Sequence, residues 1–362
     1  MPPFKKGKCL IAILAVLIVV SLEIHCSKPA GVSMQEAVEL CNIGWNNNYH
    51  VVGHDVGYSI VLPDGGRFWI FGDTWIGEIA DGRRKIKAGL PSTGAIQHGK
   101  EICSDLDYLT DDNGQVRQLI PGPDKSTAEI ANWALSMVAS NDRVYIFYER
   151  VRKNDKPVQE MNFDVLGIGL VSADAKTLTF EFENDGKLLF SAEEHGFADA
   201  IYFDGEYLYG LGCPPLKGRF DRPCRLARVP KGRMADRSSY QIWDGTAWQK
   251  DIKHAAVVLE SGGSEMTLTR HKGKFLLIYS PPFSCDIQLR TAMKLNGPWS
   301  KPQTIFHAKV PESAFCYGGK LQEISDNGQW LKLTWNSNGP LELHARDPNL
   351  YWPHAVKIHI AD

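Results

Sequence analysis

One pattern recurs five times along the chain: an alternating apolar run, a short polar turn, then an aromatic-rich run. "GHDVGYSIVLPDGGRFWIFGDTW" turns at Asp64-Gly65, "ALSMVASNDRVYIFYERV" at Asn141-Asp142, "ADAIYFDGEYLYGLG" at Asp204-Gly205, "EMTLTRHKGKFLLIYSP" at Lys272-Gly273 and "GGKLQEISDNGQWLKLTWN" at Asn327-Gly328. Alternation with period two around such turns is a β-hairpin signal. Most hairpins are followed by a third strand candidate and a less regular fourth, as in "LGIGLVSADAKTLTFEF" and "DIQLRTAMKLNGPWSKPQTIF". Four strands per repeat is the make-up of a propeller blade, so the expected fold is all-β, a five-bladed β-propeller with about four antiparallel strands per blade. A β-sandwich, the alternative, has no reason to repeat one hairpin five times. Helical signal is weak: "GVSMQEAVELCNI" reads as one short amphipathic helix ahead of the first blade.

Before the first repeat, Lys5, Lys6 and Lys8 precede an apolar run from Cys9 to Leu22, which Glu23 and His25 interrupt. A run short of the roughly 20 apolar residues of a spanning helix reads as an export signal, with a retained anchor as the alternative. Cys26 invites lipidation, although Glu23-Ile24-His25 is a poor match to a small-residue cleavage box. The expected organisation is a signal peptide or membrane anchor over 1–26, a lead-in segment over 27–50 and the propeller domain over 51–362. The protein is therefore expected outside the cytoplasm: secreted, periplasmic or on the cell surface, with membrane attachment through its N-terminus if the segment is kept. Beyond that segment Cys41, Cys103, Cys213, Cys224, Cys285 and Cys316 make an even set, compatible with disulfides in an exported chain; Cys213 and Cys224 bracket a short loop and form the expected local bridge. Buried free thiols are the plainer alternative for all six.

Net charge is −2 over 362 residues, with no basic block, which leaves no electrostatic footprint for nucleic acid. No G-x-S-x-G elbow, P-loop, dinucleotide fingerprint or EF-hand loop is present, and no cysteine or histidine spacing suits zinc. No cofactor or metal is expected, and nothing in the pattern supports a structural calcium in the channel. A monomer is expected.

The candidate chemistry lies where each blade's first strand begins, because those entries converge on one mouth of a propeller. They carry His54 and Asp55; Glu129, Asn132 and Trp133; Asp199; Glu265; and Tyr317. Carboxylates and aromatics together suit a sugar-binding pocket. Asp55 and Asp73 lie nine residues either side of Asp64, so the hairpin returns them to the same end of the sheet. An odd-numbered loop sets them on one face and a two-residue loop on opposite faces. Such a pair fits glycoside cleavage, in which one carboxylic acid protonates the leaving oxygen and a second carboxylate attacks or activates water.

Plainer roles stand beside each assignment. Asp73 caps the following turn, Asp55 organises backbone amides, Asp199 and Glu265 hold substrate hydroxyls or sit as solvated rim charges, and His54 hydrogen-bonds Asp55 and does not bind metal. Trp45, Trp75 and Trp133 are candidate sugar platforms, Trp133 the foremost; Trp69 and Trp330 are packing residues, and Arg270 and Lys272 surface charges.

The quoted first hairpin, with "YGGKLQEISDNGQWLKLTWNS", resembles the five-bladed propellers long catalogued as domain of unknown function 4185, some of which are endo-D-arabinanases (glycoside hydrolase family 183). The resemblance runs from about Asn42 onward and is sharpest at G-x-D followed by F-G-D-T. It implies catalysis by Asp55 and Asp73 on a furanoside polysaccharide such as arabinan. "CYGGKLQ" departs from the Tyr-x-Pro-Lys-like entry that the family leads one to expect, so the pocket wall opposite the aspartates is the part least covered. A noncatalytic propeller that binds glycan or protein at the same mouth is the alternative, and a lyase is weaker because no positioned base with cationic neutralisation stands out.

Overall fold

Backbone pairing in the computed structural model, which describes residues 34–122, 129–158, 161–194, 196–214, 222–325 and 328–360, follows the repeat. Residues 1–33, with the expected export segment, and Asn327 of the fifth turn lie outside the described residues. The hairpins are Tyr58–Val61 with Arg67–Phe71, Ile130–Ser140 with Arg143–Val158, Ala200–Phe203 with Tyr207–Gly212, Met266–His271 with Lys274–Tyr279, and Phe315–Ser325 with Trp330–Asn338. Turn residues take the left-handed backbone that tight reversals require, at Asn141 (φ 54°) and at Lys272 (φ 44°) with Gly273 (φ 80°). Each hairpin opens its own antiparallel sheet, and the next strand, such as Thr93–Gln97 in the first sheet or Asp286–Ala292 in the fourth, adds outside it.

The chain is thus all-β, and its sheets pack in sequence. Phe68 and Ile70 of the first sheet meet Met137 and Ile146 of the second; Leu135 and Phe147 of the second meet Leu208 and Val229 of the third. Leu211 and Leu226 of the third meet Leu268 and Leu277 of the fourth, whose Ile278 and Leu289 meet Leu331 and Val356 of the fifth. A last cluster returns to the start, with Trp352 and Ala355 of the fifth against Trp69, Phe71 and Ala95 of the first. The first strands of the five sheets touch in the same closed order. Apolar burial, worth roughly 25 cal/mol per Å² removed from water, is therefore spread around a ring.

In three places the local structure departs from the pattern read in the sequence. The stretch read as a helix forms the strand Met34–Asn42, which pairs antiparallel with Pro353–Ile360 and completes the fifth sheet. An isolated short helix is marginal, whereas this pairing satisfies the backbone of both segments. Sheet structure thus takes in Met34–Asn42, part of the expected lead-in. Between the fifth hairpin and its outer strand Pro353–Ile360 the chain forms the short helix Leu341–Arg346. A small sheet of Val51–His54, Thr74–Ala80 and Arg83–Leu90 stands outside the repeat and was not foreseen.

All six cysteines pair. Cys213–Cys224 closes the expected short loop within the third sheet; Cys285–Cys316 ties the fourth sheet to the fifth, and Cys41–Cys103 ties the strand that completes the fifth sheet to a loop of the first. Because the last bridge spans the closure of the ring, replacing Cys41 and Cys103 together by Ser is expected to cost about 2–4 kcal/mol, read as a lowered guanidinium midpoint. An unchanged midpoint would show that strand pairing alone holds the closure.

Candidate active site

The hairpin register decides how the two aspartates meet. Leu62 N donates to Gly66 O (2.8 Å), leaving Pro63, Asp64 and Gly65 as an odd-numbered loop. Tyr58 then faces Ile70, and the same register continues through His54 facing Thr74 and Gly53 facing Trp75 in the small sheet. Asp55 and Asp73 fall opposite each other at the junction of the two sheets, with Asp55 N donating to Asp73 O (3.3 Å) and Gly72 N to Asp55 O (3.2 Å). Directly opposed residues hold their Cβ atoms about 4.5–5.5 Å apart.

The junction is strained. Val56 has φ 67° and Gly57 φ 66°, and a β-branched residue in this region persists only where its surroundings hold it. Gly72 allows the close approach: a Cβ there would lie 2.3 Å from Asp55 Oδ1.

Each carboxylate has its own set of donors. Asp55 Oδ2 accepts from Tyr317 Oη (3.0 Å) and Tyr351 Oη (3.4 Å), while its buried Oδ1 has no hydrogen-bond partner among the described residues. Asp73 Oδ1 accepts from Trp133 Nε1 (3.0 Å), whose ring stands edge-on to Phe163 (4.6 Å). Tyr351, itself at φ 63°, stacks on Trp75 at 3.9 Å and 11°.

Burial pushes Asp55 well above the usual carboxylate range, helped by the charges of Asp73 and Glu265 and opposed by the Tyr317 hydrogen bond and Lys320. Burial raises Asp73 to about 6, against the Trp133 hydrogen bond. Neighbouring carboxylates resist ionising together, so the two titrate as a pair.

Further acids join from other sheets. Glu265 Oε2 accepts from Lys320 Nζ (2.5 Å), a fully buried ammonium that also donates to Gly318 O (2.9 Å) and lies over the Tyr58 ring. Asp199 Oδ2 accepts from Cys213 N (2.6 Å), with Arg222 Nη2 3.7 Å from its Oδ1. Burial lifts both Asp199 and Glu149 to about 7, each opposed by the Arg222 charge. Glu149 lies opposite Trp133 across the second hairpin.

Asp55, Asp73, Trp133, Glu265 and Tyr317, with Trp75 behind Tyr351, thus form one interacting group, and the charges of Glu265 and Glu149 reach Asp199. Others from the same expectation stand apart. His54 is fully buried, its Nε2 2.7 Å from Tyr108 Oη and its ring 3.7 Å from that of Phe71; its partner is Tyr108 and not Asp55, and burial lowers it to about 3, which keeps it neutral. Asn132, also fully buried, donates to Pro121 O (2.7 Å) and accepts from Arg150 Nε (2.9 Å), which commits its amide to structure. Glu129 is exposed. Trp45 packs on Trp352 at 5.6 Å.

Tyr351, Lys320, Arg222 and Glu149 were not singled out from the sequence. Glu149 had a signal, a carboxylate within the aromatic run "YIFYERV", whereas Tyr351 reaches Asp55 from 296 residues away with no local pattern to mark it. Among the described residues no group of three or more His, Cys, Asp or Glu could hold a metal ion, and no helix is long and apolar enough to cross a membrane.

The family model described as "Domain of unknown function (DUF4185)" matches residues 44–338. No curated protein matches the chain. Similar solved structures include a protein of Bacteroides ovatus ATCC 8483, at 18% identity and TM-score 0.67 over 88% of this chain and 87% of that one. An exo-β-1,3-galactanase of Phanerochaete chrysosporium with β-1,3-galactotriose aligns at 12% identity and TM-score 0.52 over 90% of this chain and 65% of that one. The GH43_1 enzyme of Xanthomonas citri complexed with xylotriose aligns at 14% identity and TM-score 0.50 over 88% and 89%. Likeness at these identities concerns the fold and leaves the chemistry to the residues.

Asp73 carries a sign-definite consequence. With its folded value raised to about 6, the stability linked to its protonated form is present below about pH 4 and lost as pH rises through 6. Asp73→Asn is therefore expected to be more stable than the parent above about pH 6, by denaturant titration, with the advantage vanishing below about pH 4. A gap independent of pH would contradict the raised carboxylate.

Proposed function

This chain belongs to the DUF4185 family, and we propose that it is an exported glycoside hydrolase, built on a five-bladed β-propeller, that cleaves a furanoside-containing polysaccharide through Asp55 and Asp73. The observation that carries the reading is the opposed, electrostatically coupled carboxyl pair, with one oxygen of Asp55 left without a protein partner. Asp55, crowded by the charges of Asp73 and Glu265 and with Oδ1 free of a donor among the described residues, keeps its proton and acts as general acid toward the leaving oxygen. Asp73, whose Oδ1 accepts the Trp133 N–H that favours its charged form, is the carboxylate that attacks the anomeric carbon or activates water. Glycosidic oxygen takes the proton of Asp55 as the C–O bond breaks, and the positive charge developing on the sugar is met by Asp73.

The ring order of sheet packing and the completion of the fifth sheet by Met34–Asn42 support the five-bladed reading. Three disulfides and the lysine-led apolar run at the N-terminus support export. Arabinan, cut internally, is the substrate suggested by the sequence resemblance at "GHDVG" and "FGDTW". Trp133, half-buried beside Asp73, and the Trp75–Tyr351 stack beside Asp55 supply aromatic surface of the kind sugars pack against.

Reducing-sugar release across a panel of arabinans, xylans and other polysaccharides tests the proposal. Asp55→Asn and Asp73→Asn are each expected to lower turnover by about a hundredfold or more while the fold and ligand binding persist. Binding without release across the panel would mark a noncatalytic propeller. A full-rate variant at either aspartate would remove that residue from the mechanism.

pH adds a second arm. Activity is expected to fall as Asp73 protonates near 6, and Trp133→Phe, which removes a donor to the carboxylate, should move that acid limb to higher pH. An unmoved limb would place Asp73 elsewhere in the mechanism.

A further inference from the structure

Arg84 is 4% exposed; among the described residues no carboxylate lies within ion-pair distance of it, although the Asp347 charge reaches it, and backbone carbonyls surround its guanidinium. Its Nε donates to Val52 O (2.6 Å), Nη1 to His344 O (3.2 Å), and Nη2 to Pro348 O (2.8 Å) and Leu350 O (2.6 Å). These acceptors lie on two segments: the strand Val51–His54 that leads into Asp55, and the stretch from the helix Leu341–Arg346 to Leu350 that leads into Tyr351. The guanidinium also lies 5.4 Å from the centre of the Trp75 ring, which stacks on Tyr351. Tyr351 O in turn accepts from His54 N (2.8 Å).

We propose, resting on the glycosidase reading, that Arg84 is a positioning residue for the reaction centre, a staple that holds Tyr351 against Asp55. The small sheet outside the repeat thereby has a role: it carries Trp75 and Arg84 to the one stretch of the fifth sheet's connection that touches the acid. An arginine is required because a planar fork with five donors can bridge acceptors in several directions, whereas a lysine ammonium is a single point. Tyr351, at φ 63°, has no intrinsic preference for its conformation and depends on these ties.

The test uses the full chain with Arg84→Met, Arg84→Lys and Tyr351→Phe. Arg84→Met is expected to lower kcat about tenfold or more with KM changed less than about threefold, as misplacement near a reacting group does. Loss of a donor to Asp55 favours its neutral form, so the limb of the pH–rate profile governed by Asp55 should move to higher pH in both Arg84→Met and Tyr351→Phe. Arg84→Lys should recover part of the loss. Hydrogen exchange over residues 348–352 should quicken in Arg84→Met, a readout that needs no substrate.

A folded Arg84→Met with unchanged kcat and limb overturns the proposal, whether or not exchange quickens. Should Arg84→Met not fold, Arg84→Lys decides by the same readouts. If the parent cuts no polysaccharide, the glycosidase reading fails on its own account, and unchanged exchange would then separately refute the staple.

Discussion

Asp55 and Asp73 face each other because three residues, Pro63, Asp64 and Gly65, form the loop between their strands. A loop one residue shorter would turn one carboxylate to the opposite face of the ribbon. From that register follow the Asp55 N to Asp73 O bond, the close passage of Gly72 under the Asp55 carboxylate, and the mutual repulsion that helps keep Asp55 protonated. The donors around the pair come from elsewhere: Trp133 from the second sheet, Tyr317 from the fifth, Tyr351 from beyond the helix. The ring of sheets brings these distant segments to one hairpin.

Such a site works against the stability of the fold. Buried carboxylates above their ordinary range, a valine at φ 67° and an unpartnered Asp55 oxygen are all unfavourable locally. Five apolar interfaces between consecutive sheets and three disulfides offset them. Val56 lies where the ribbon passes from the first sheet to the small one, and both sheets fix that passage. In the proposed mechanism, a proton donor and a carboxylate held on one ribbon would need little rearrangement at the moment of reaction.

Much of this was legible along the chain because hairpins are local. Period-two alternation and Asn-Gly or Asp-Gly turns identify a strand pair from a few residues, and the ends of such a pair are where Asp55 and Asp73 stand out. What lay hidden was non-local. The strand Met34–Asn42 reads as a helix until its partner Pro353–Ile360 is placed beside it, and the small sheet has no counterpart in the repeat. His54 and Asn132 were drawn toward the mouth by their position at strand starts, but a strand's first residues alternate in direction, and Tyr108 and Arg150 had already claimed these two. Tyr351 reaches Asp55 from 296 residues away, and three of Arg84's carbonyl partners lie 260 to 266 residues from it, contacts that no local pattern records.

The account rests on the coupling of the two carboxyls, and a direct measurement is a carbon-13 NMR titration of the Asp55 and Asp73 side chains in the parent and in each Asp→Asn variant. Two raised transitions are predicted, Asp55 above Asp73, with the Asp55 transition falling when Asp73 becomes asparagine. Two independent transitions near the ordinary aspartate value of about 4, unmoved by substitution of the partner, would contradict it.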